Sequence, residues 1–280
     1  MLLLVDLDGV VYRGAQPVPG VAAVLTARAA AGDDVVYVTN SSIWHHTDFV
    51  ARLASMGAPV SPDRIVSGAR ATALYLSEQS PRPVRTLVLG AAGLVRELRD
   101  MHLEVVLAAE AAERWTTNGR DMAAATQGVD SVVIGLDVEF SYARLVVAAG
   151  AVRAGARFVV VNRDPIHPTE HGLVPGAGSV VAAVATASGM EPVSIGKPGS
   201  LLLEIAAHRM ARPLTEAVMI GDSLTADIPA AIAVGARSIL MLTGISTAAQ
   251  VGSLAAADRP TEVAVNAEEL AAVLERMADG

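Results

Sequence analysis

Short apolar runs alternate along this chain with longer amphipathic, alanine-rich segments, and that alternation is the signature of βα units on a parallel sheet. Leu2–Val5, Val35–Val38 and Ile65–Val66 read as strands. Helices are expected near 21–31, 48–56 and 69–76, the first two stopped by Gly32 and Gly57. Ser80-Pro81-Arg82-Pro83 punctuates the pattern as a linker would. A second series follows, with strands expected at 86–89, 103–107, 131–136 and 157–161, and a helix capped by Ser141 and ended by Gly155. Residues 162–178, rich in Pro, Gly and His, show no period and read as a long loop. The first pattern then resumes: strands at 193–195, 217–220, 238–241 and 262–265 alternate with helices near 180–187, 201–210 and 226–234. Asn266 with Glu269 forms a capping-box start for the last helix. The segment 108–128 carries the weakest pattern.

Polar groups gather where these strands end. Leu2–Val5 runs into Asp6-Leu7-Asp8-Gly9, and strand alternation would set Asp6 and Asp8 on one side. An ionised carboxylate at a buried strand end is costly unless something neutralises it, and Gly9 allows a sharp turn beside a ligand. Thr39-Asn40-Ser41-Ser42 follows the second strand, Gly196-Lys197-Pro198 follows 193–195, and Gly221-Asp222-Ser223-Leu224-Thr225-Ala226-Asp227 follows 217–220. Taken singly, each has an ordinary explanation as a turn, a solvated lysine or a first-turn helix acid. In an open parallel sheet, however, ligands bind beyond the carboxyl ends of the strands, so four such clusters would converge on one pocket.

Composition narrows the chemistry. The net charge of −8, with no run of Lys or Arg, argues against a nucleic-acid surface, so an anion site would have to be made locally. With no cysteine there is no disulfide, thiolate metal site or cysteine nucleophile. No basic leader and no apolar run of about 18 residues points to a soluble, cytoplasmic protein without a membrane partner.

D-L-D-G-V, T-N-S, G-K-P and G-D-S-L-T-A-D, in that order, resemble the four signature motifs of the haloacid dehalogenase superfamily. The long insertion between the second and third motifs, with Asn162-Arg163-Asp164 and the run 168–178, resembles the p-nitrophenylphosphatase and NagD-like subgroup. One departure is Arg163, where the subgroup pattern has proline. The resemblance implies an α/β fold: a Rossmann-like parallel-sheet core, 1–79 and 176–280, with an inserted α/β cap domain, 80–175.

It also implies a Mg²⁺-dependent phosphatase acting on small phosphorylated metabolites through an aspartyl-phosphate. Asp6 would be the nucleophile and Asp8 the general acid, then base. Asp6, the Asp8 carbonyl and Asp222 would hold the magnesium, with Asp227 orienting its neighbours from behind. Lys197 would supply positive charge, while Thr39, Asn40 and Ser41 would meet the phosphoryl group. From the cap, Asn162, Arg163 and Asp164 would meet substrate, with His167 and His171 nearby. Those two histidines have metal-like spacing, but Pro168 between them argues against zinc. His45 and His46 read as polar residues at a surface or pocket rim, and Trp44 as lining the entrance. The subgroup also allows a homodimer. A phosphomutase or other phosphotransferase on the same scaffold is the nearest rival. A non-catalytic phosphate-binding module is the second, disfavoured because such modules have no need of a large insertion.

Overall fold

Leu2–Val5, fully buried, lies in the middle of a six-stranded parallel sheet ordered 262–264, 237–241, 217–221, 2–5, 34–39, 65–67. Strands buried on both faces lose the in/out alternation and read as continuous apolar runs, which is why these segments were visible in sequence. Leu3, Val5, Tyr37, Val218 and Ile239 enter one core cluster with Leu25, Phe49, Leu53, Leu270 and Leu274 of the surrounding helices. The alternate residues Leu2, Leu4, Val36, Val38 and Met219 are just as buried, and helices Leu201–Arg209 and Asp227–Ala233 contact these strands. Register aligns Val5 with Ile220 on one side and with Tyr37 on the other. The first residue beyond the central strand, Asp6, is therefore level with Gly221.

The computed structural model describes residues 1–169 and 172–279. Two units make up the chain: Met1–Thr39, His46–Ser67 and Lys197–Gly280 form the first, Asn40–His45 and Gly68–Gly196 the second. The second has its own parallel sheet, ordered 193–194, 157–160, 131–134, 85–89, 104–107. Leu87, Leu89, Val132, Ile134, Val147 and Val160 anchor its separate aliphatic core. Ser141 caps helix Tyr142–Arg153 as expected, its Oγ accepting from Arg144 N at 3.3 Å.

The second unit extends past the expected bounds at 80 and 175: within it, helix Gly68–Ser77 packs on Ala92–Asp100, and Ala177–Ser188 on Tyr142–Arg153. Other expectations need correction. Strand Val193–Ser194 pairs with Arg157–Val160 and so belongs to the second sheet rather than to the resumed first pattern. Periodicity reports what kind of element a segment forms, not which sheet it joins. The stretch read as a long loop holds an antiparallel hairpin, Ile166–Thr169 with Gly172–Pro175. Its second strand is wholly exposed, so no buried face imposes a sequence period. The weak 108–128 stretch is helical over Ala108–Thr117 and Met122–Ala125. His171 lies outside the described residues.

Candidate active site

Asp6 N donates to Ile220 O at 2.8 Å, continuing the ladder for one residue and bringing the aspartate against the end of strand Ala217–Gly221. There its Oδ1 lies 2.6 Å from Lys197 Nζ. The same ammonium lies 2.6 Å from Asp227 Oδ1 and donates to Val38 O at 3.2 Å. Asp227 Oδ2 accepts from the backbone of Asp222 and of Ser223, each at 3.0 Å. Asp227 Oδ2 is thus held by two backbone donors while Oδ1 is ion-paired with Lys197, so this carboxylate joins the lysine to the turn that carries Asp222. Asp6, Lys197, Asp222 and Asp227 are all buried.

The turn after strand Arg237–Met241 closes the site from another side, and sequence reasoning missed it. Ile245 N donates to Asp222 Oδ2 at 2.8 Å, Thr243 Oγ1 to Gly9 O at 2.6 Å, and Leu224 N to Ser246 Oγ at 3.0 Å. The signal was present as one more polar, glycine-bearing turn after an apolar strand, Thr243-Gly244-Ile245-Ser246. Gly9 has φ +81°, and a Cβ there would overlap the Asp222 carboxylate, so only glycine fits.

Three carboxylates against one lysine leave an excess of buried negative charge. Burial pushes the Asp6 carboxyl well above its ordinary range, helped by Asp227 and Asp222 and opposed by Lys197. Asp222 is raised to about 6, by burial first and Asp227 second, against the Ile245 N–H and Lys197. Burial disfavours the Lys197 ammonium, yet Asp227 and Asp6 outweigh it and hold the lysine above its usual range. Asp6, Asp222 and Asp227 each offer an oxygen within 4.8 Å of the others. Buried, charge-rich and oxygen-only, this donor set fits a hard divalent cation such as magnesium.

Asp8 lies past the end of the strand and, unlike Asp6, is exposed. The strand ends at Val5, and the N–H groups of Val10, Val11 and Tyr12 fold back on Leu7 O. Alternation stops there, leaving Asp8 exposed and outside the group of three converging carboxylates. Thr39 is buried at the end of its strand in the same unit. In the second unit Asn40, Asn162 and Asp164 come together, whereas Arg163 turns to Glu191 Oε2 at 2.9 Å and Pro192 O at 3.3 Å. Ser41 Oγ accepts from Ile43 N at 3.4 Å. His45 and His46 are both buried rather than at a surface; His45 Nε2 is 2.8 Å from Asp100 Oδ2. Trp44 is half exposed.

Residues 3–104 match the family described as haloacid dehalogenase-like hydrolase, and 194–270 match the HAD-hydrolase-like family. An acid sugar phosphatase of Staphylococcus epidermidis is 33% identical over 244 residues, 87% of each chain. Among solved structures, the p-nitrophenyl phosphatase of Archaeoglobus fulgidus superposes with TM-score 0.84 at 25% identity, covering 97% of this chain and 98% of that one. A Mycobacterium tuberculosis glycerol phosphate phosphatase, crystallised with magnesium, superposes with TM-score 0.79 at 34% identity, covering 96% and 75%. With a relative this similar over most of its length, the chain belongs to the haloacid dehalogenase-like hydrolases, in their p-nitrophenylphosphatase and NagD-type subfamily.

Proposed function

We propose that this protein is a magnesium-dependent phosphatase that hydrolyses small phosphate monoesters through an aspartyl-phosphate on Asp6. The observation that carries the reading is the buried chain Asp6–Lys197–Asp227 beside Asp222, with 2.6 Å on either side of the lysine. Relatives named for sugar phosphates, glycerol phosphate and p-nitrophenyl phosphate support small monoesters as the substrate class.

Phosphate monoester hydrolysis is among the slowest uncatalysed reactions, and a carboxylate approaching a phosphate dianion meets strong repulsion. Bound by Asp6, Asp222 and the Asp8 carbonyl, magnesium would supply the charge neutralisation that this approach requires. Asp6 forms the new O–P bond as the ester O–P bond breaks. Asp8, exposed where the other carboxylates are buried, gives its proton to the departing alkoxide. It then takes one from the water that cleaves the acyl-phosphate, returning Asp6 to carboxylate. Lys197 offers fixed positive charge, and Thr39 and Asn40 donate to the phosphoryl oxygens. Asp227 keeps Lys197 and the Asp222 turn in register.

A panel of sugar phosphates, glycerol phosphate and p-nitrophenyl phosphate tests this. Hydrolysis is expected to stop with EDTA and return with Mg²⁺, and Asp6→Asn is expected to lose at least about 10³-fold in kcat. Turnover that ignores EDTA, or that survives in D6N, overturns the reading.

A further inference from the structure

Asn40, the residue after Thr39, is held by a closed ring of hydrogen bonds to residues some 120 positions further along the chain. Asn162 Nδ2 donates to Asn40 O at 2.7 Å, and Asp164 N donates to Asn162 Oδ1 at 3.1 Å. Asn40 Nδ2 completes the ring by donating to the Asp164 carboxylate, at 3.4 Å from Oδ1 and 3.3 Å from Oδ2. Asn162 is buried, so its amide is committed to this task rather than offered to solvent. Gly196 presses on the other side of the amide. A Cβ there would stand 2.6 Å from Asn40 Oδ1 and 2.7 Å from Val161 O. All these residues lie in the second unit, which also includes Asn40–His45 itself. Arg163, between the two, faces Glu191 and takes no part.

We propose that Asn162 and Asp164 are positioning residues for Asn40, and not contacts to the substrate's alcohol as their place in the sequence suggests. This rests on Asn40 being a phosphoryl donor, as argued above. A primary amide has two N–H groups and a freely turning terminal torsion. A carboxylate acceptor fixes which end is nitrogen, and with it the direction in which the amide's donors face. Asn162 fixes the backbone from which that amide projects. Both act on a group that every ester shares. Misplacing a donor by about 1 Å can cost on the order of 10²-fold in rate, so loosening the amide should be felt in kcat.

The test is a double-mutant cycle of Asn40→Ala and Asp164→Ala, read on p-nitrophenyl phosphate, glycerol phosphate and a sugar phosphate. Asp164→Ala is expected to lower kcat about 10-fold or more, by the same factor for all three esters, and to add nothing in the Asn40→Ala background. Asp164→Asn keeps an acceptor at this place and is expected to recover most of the loss, which a folding defect in the alanine variant would not predict. Additive losses, or losses that differ about tenfold between esters, would assign Asp164 to the substrate and overturn the proposal. A wild-type protein inactive on all three esters would instead remove the phosphatase reading on which the proposal stands.

Discussion

Lys197 shows how one residue can decide the state of a site. It is buried with two carboxylates at 2.6 Å, so its charge compensates groups that water cannot reach. Replacing it with methionine fills similar space but leaves Asp6 and Asp227 facing each other without a cation. Breaking a buried ion pair by removing one partner costs about 3–5 kcal/mol. In EDTA at pH 7, K197M is expected to lose stability of that order in denaturant titrations. The deficit should shrink toward pH 5, because carboxylates left without the lysine hold protons more tightly and are neutralised as the pH falls. A deficit independent of pH would mean that lost packing, not charge, sets the cost. Asp6, Lys197, Asp222 and Asp227 were legible in sequence because packing gives little reason to place charge directly after an apolar strand. The side on which Asp8 lies was not legible, because strand alternation ends at Val5, three residues before it. Thr243, Ile245 and Ser246 went unread because small polar residues in a turn carry no charge to mark them.

At the scale of elements, buried parallel strands were legible since both faces demand apolar residues, while the exposed strand Gly172–Pro175 was not. Two helix starts were readable through their caps, Ser141 and Asn266. Asn266 Oδ1 accepts from Glu269 N at 2.9 Å, although Glu269 Oε2 returns to Val265 N at 3.0 Å rather than to Asn266 N. A polar pair inside the second sheet gives an element-level prediction. Thr86 and Ser131 are directly opposed on adjacent strands, both fully buried, with hydroxyls 2.7 Å apart. Removing one hydroxyl leaves the other buried without its partner, a cost of about 1–3 kcal/mol, whereas removing both deletes the need. T86V alone is therefore expected to be markedly less stable than wild type, and T86V/S131A to recover much of that loss. Urea midpoints of the two single variants and the double variant measure it, and simple additivity would refute it.

For the whole molecule, the excess of carboxylates at the carboxyl ends of the first sheet's central strands ties stability, pH and metal together. Asp222 carries a carboxyl raised to about 6 from an ordinary value of 3.8. Between those values the folded protein holds a proton that the unfolded chain has released. Without metal, stability therefore falls as pH rises from about 4 to about 6, and the full cost stands above that window. A shift of this size corresponds to a cost on the order of 3 kcal/mol. Magnesium held as proposed would compete with the proton for the same oxygens, so its gain in Tm is expected to be small at pH 5 and to grow through pH 6 to a plateau near pH 7. Asp222→Asn keeps a carbonyl acceptor for Ile245 N but has no charge to neutralise. In EDTA at pH 7 it is expected to be more stable than wild type, to lose the downward slope between pH 4 and 6, and to gain no Tm from magnesium. The wild-type protein would then be holding a destabilising charge at the position where a phosphatase needs its metal, a trade of stability for activity. Melting curves of both proteins across pH 4–8, with EDTA and with Mg²⁺, decide the matter. A D222N protein that keeps the slope would move the titrating group elsewhere and break the link between this carboxylate and the cation.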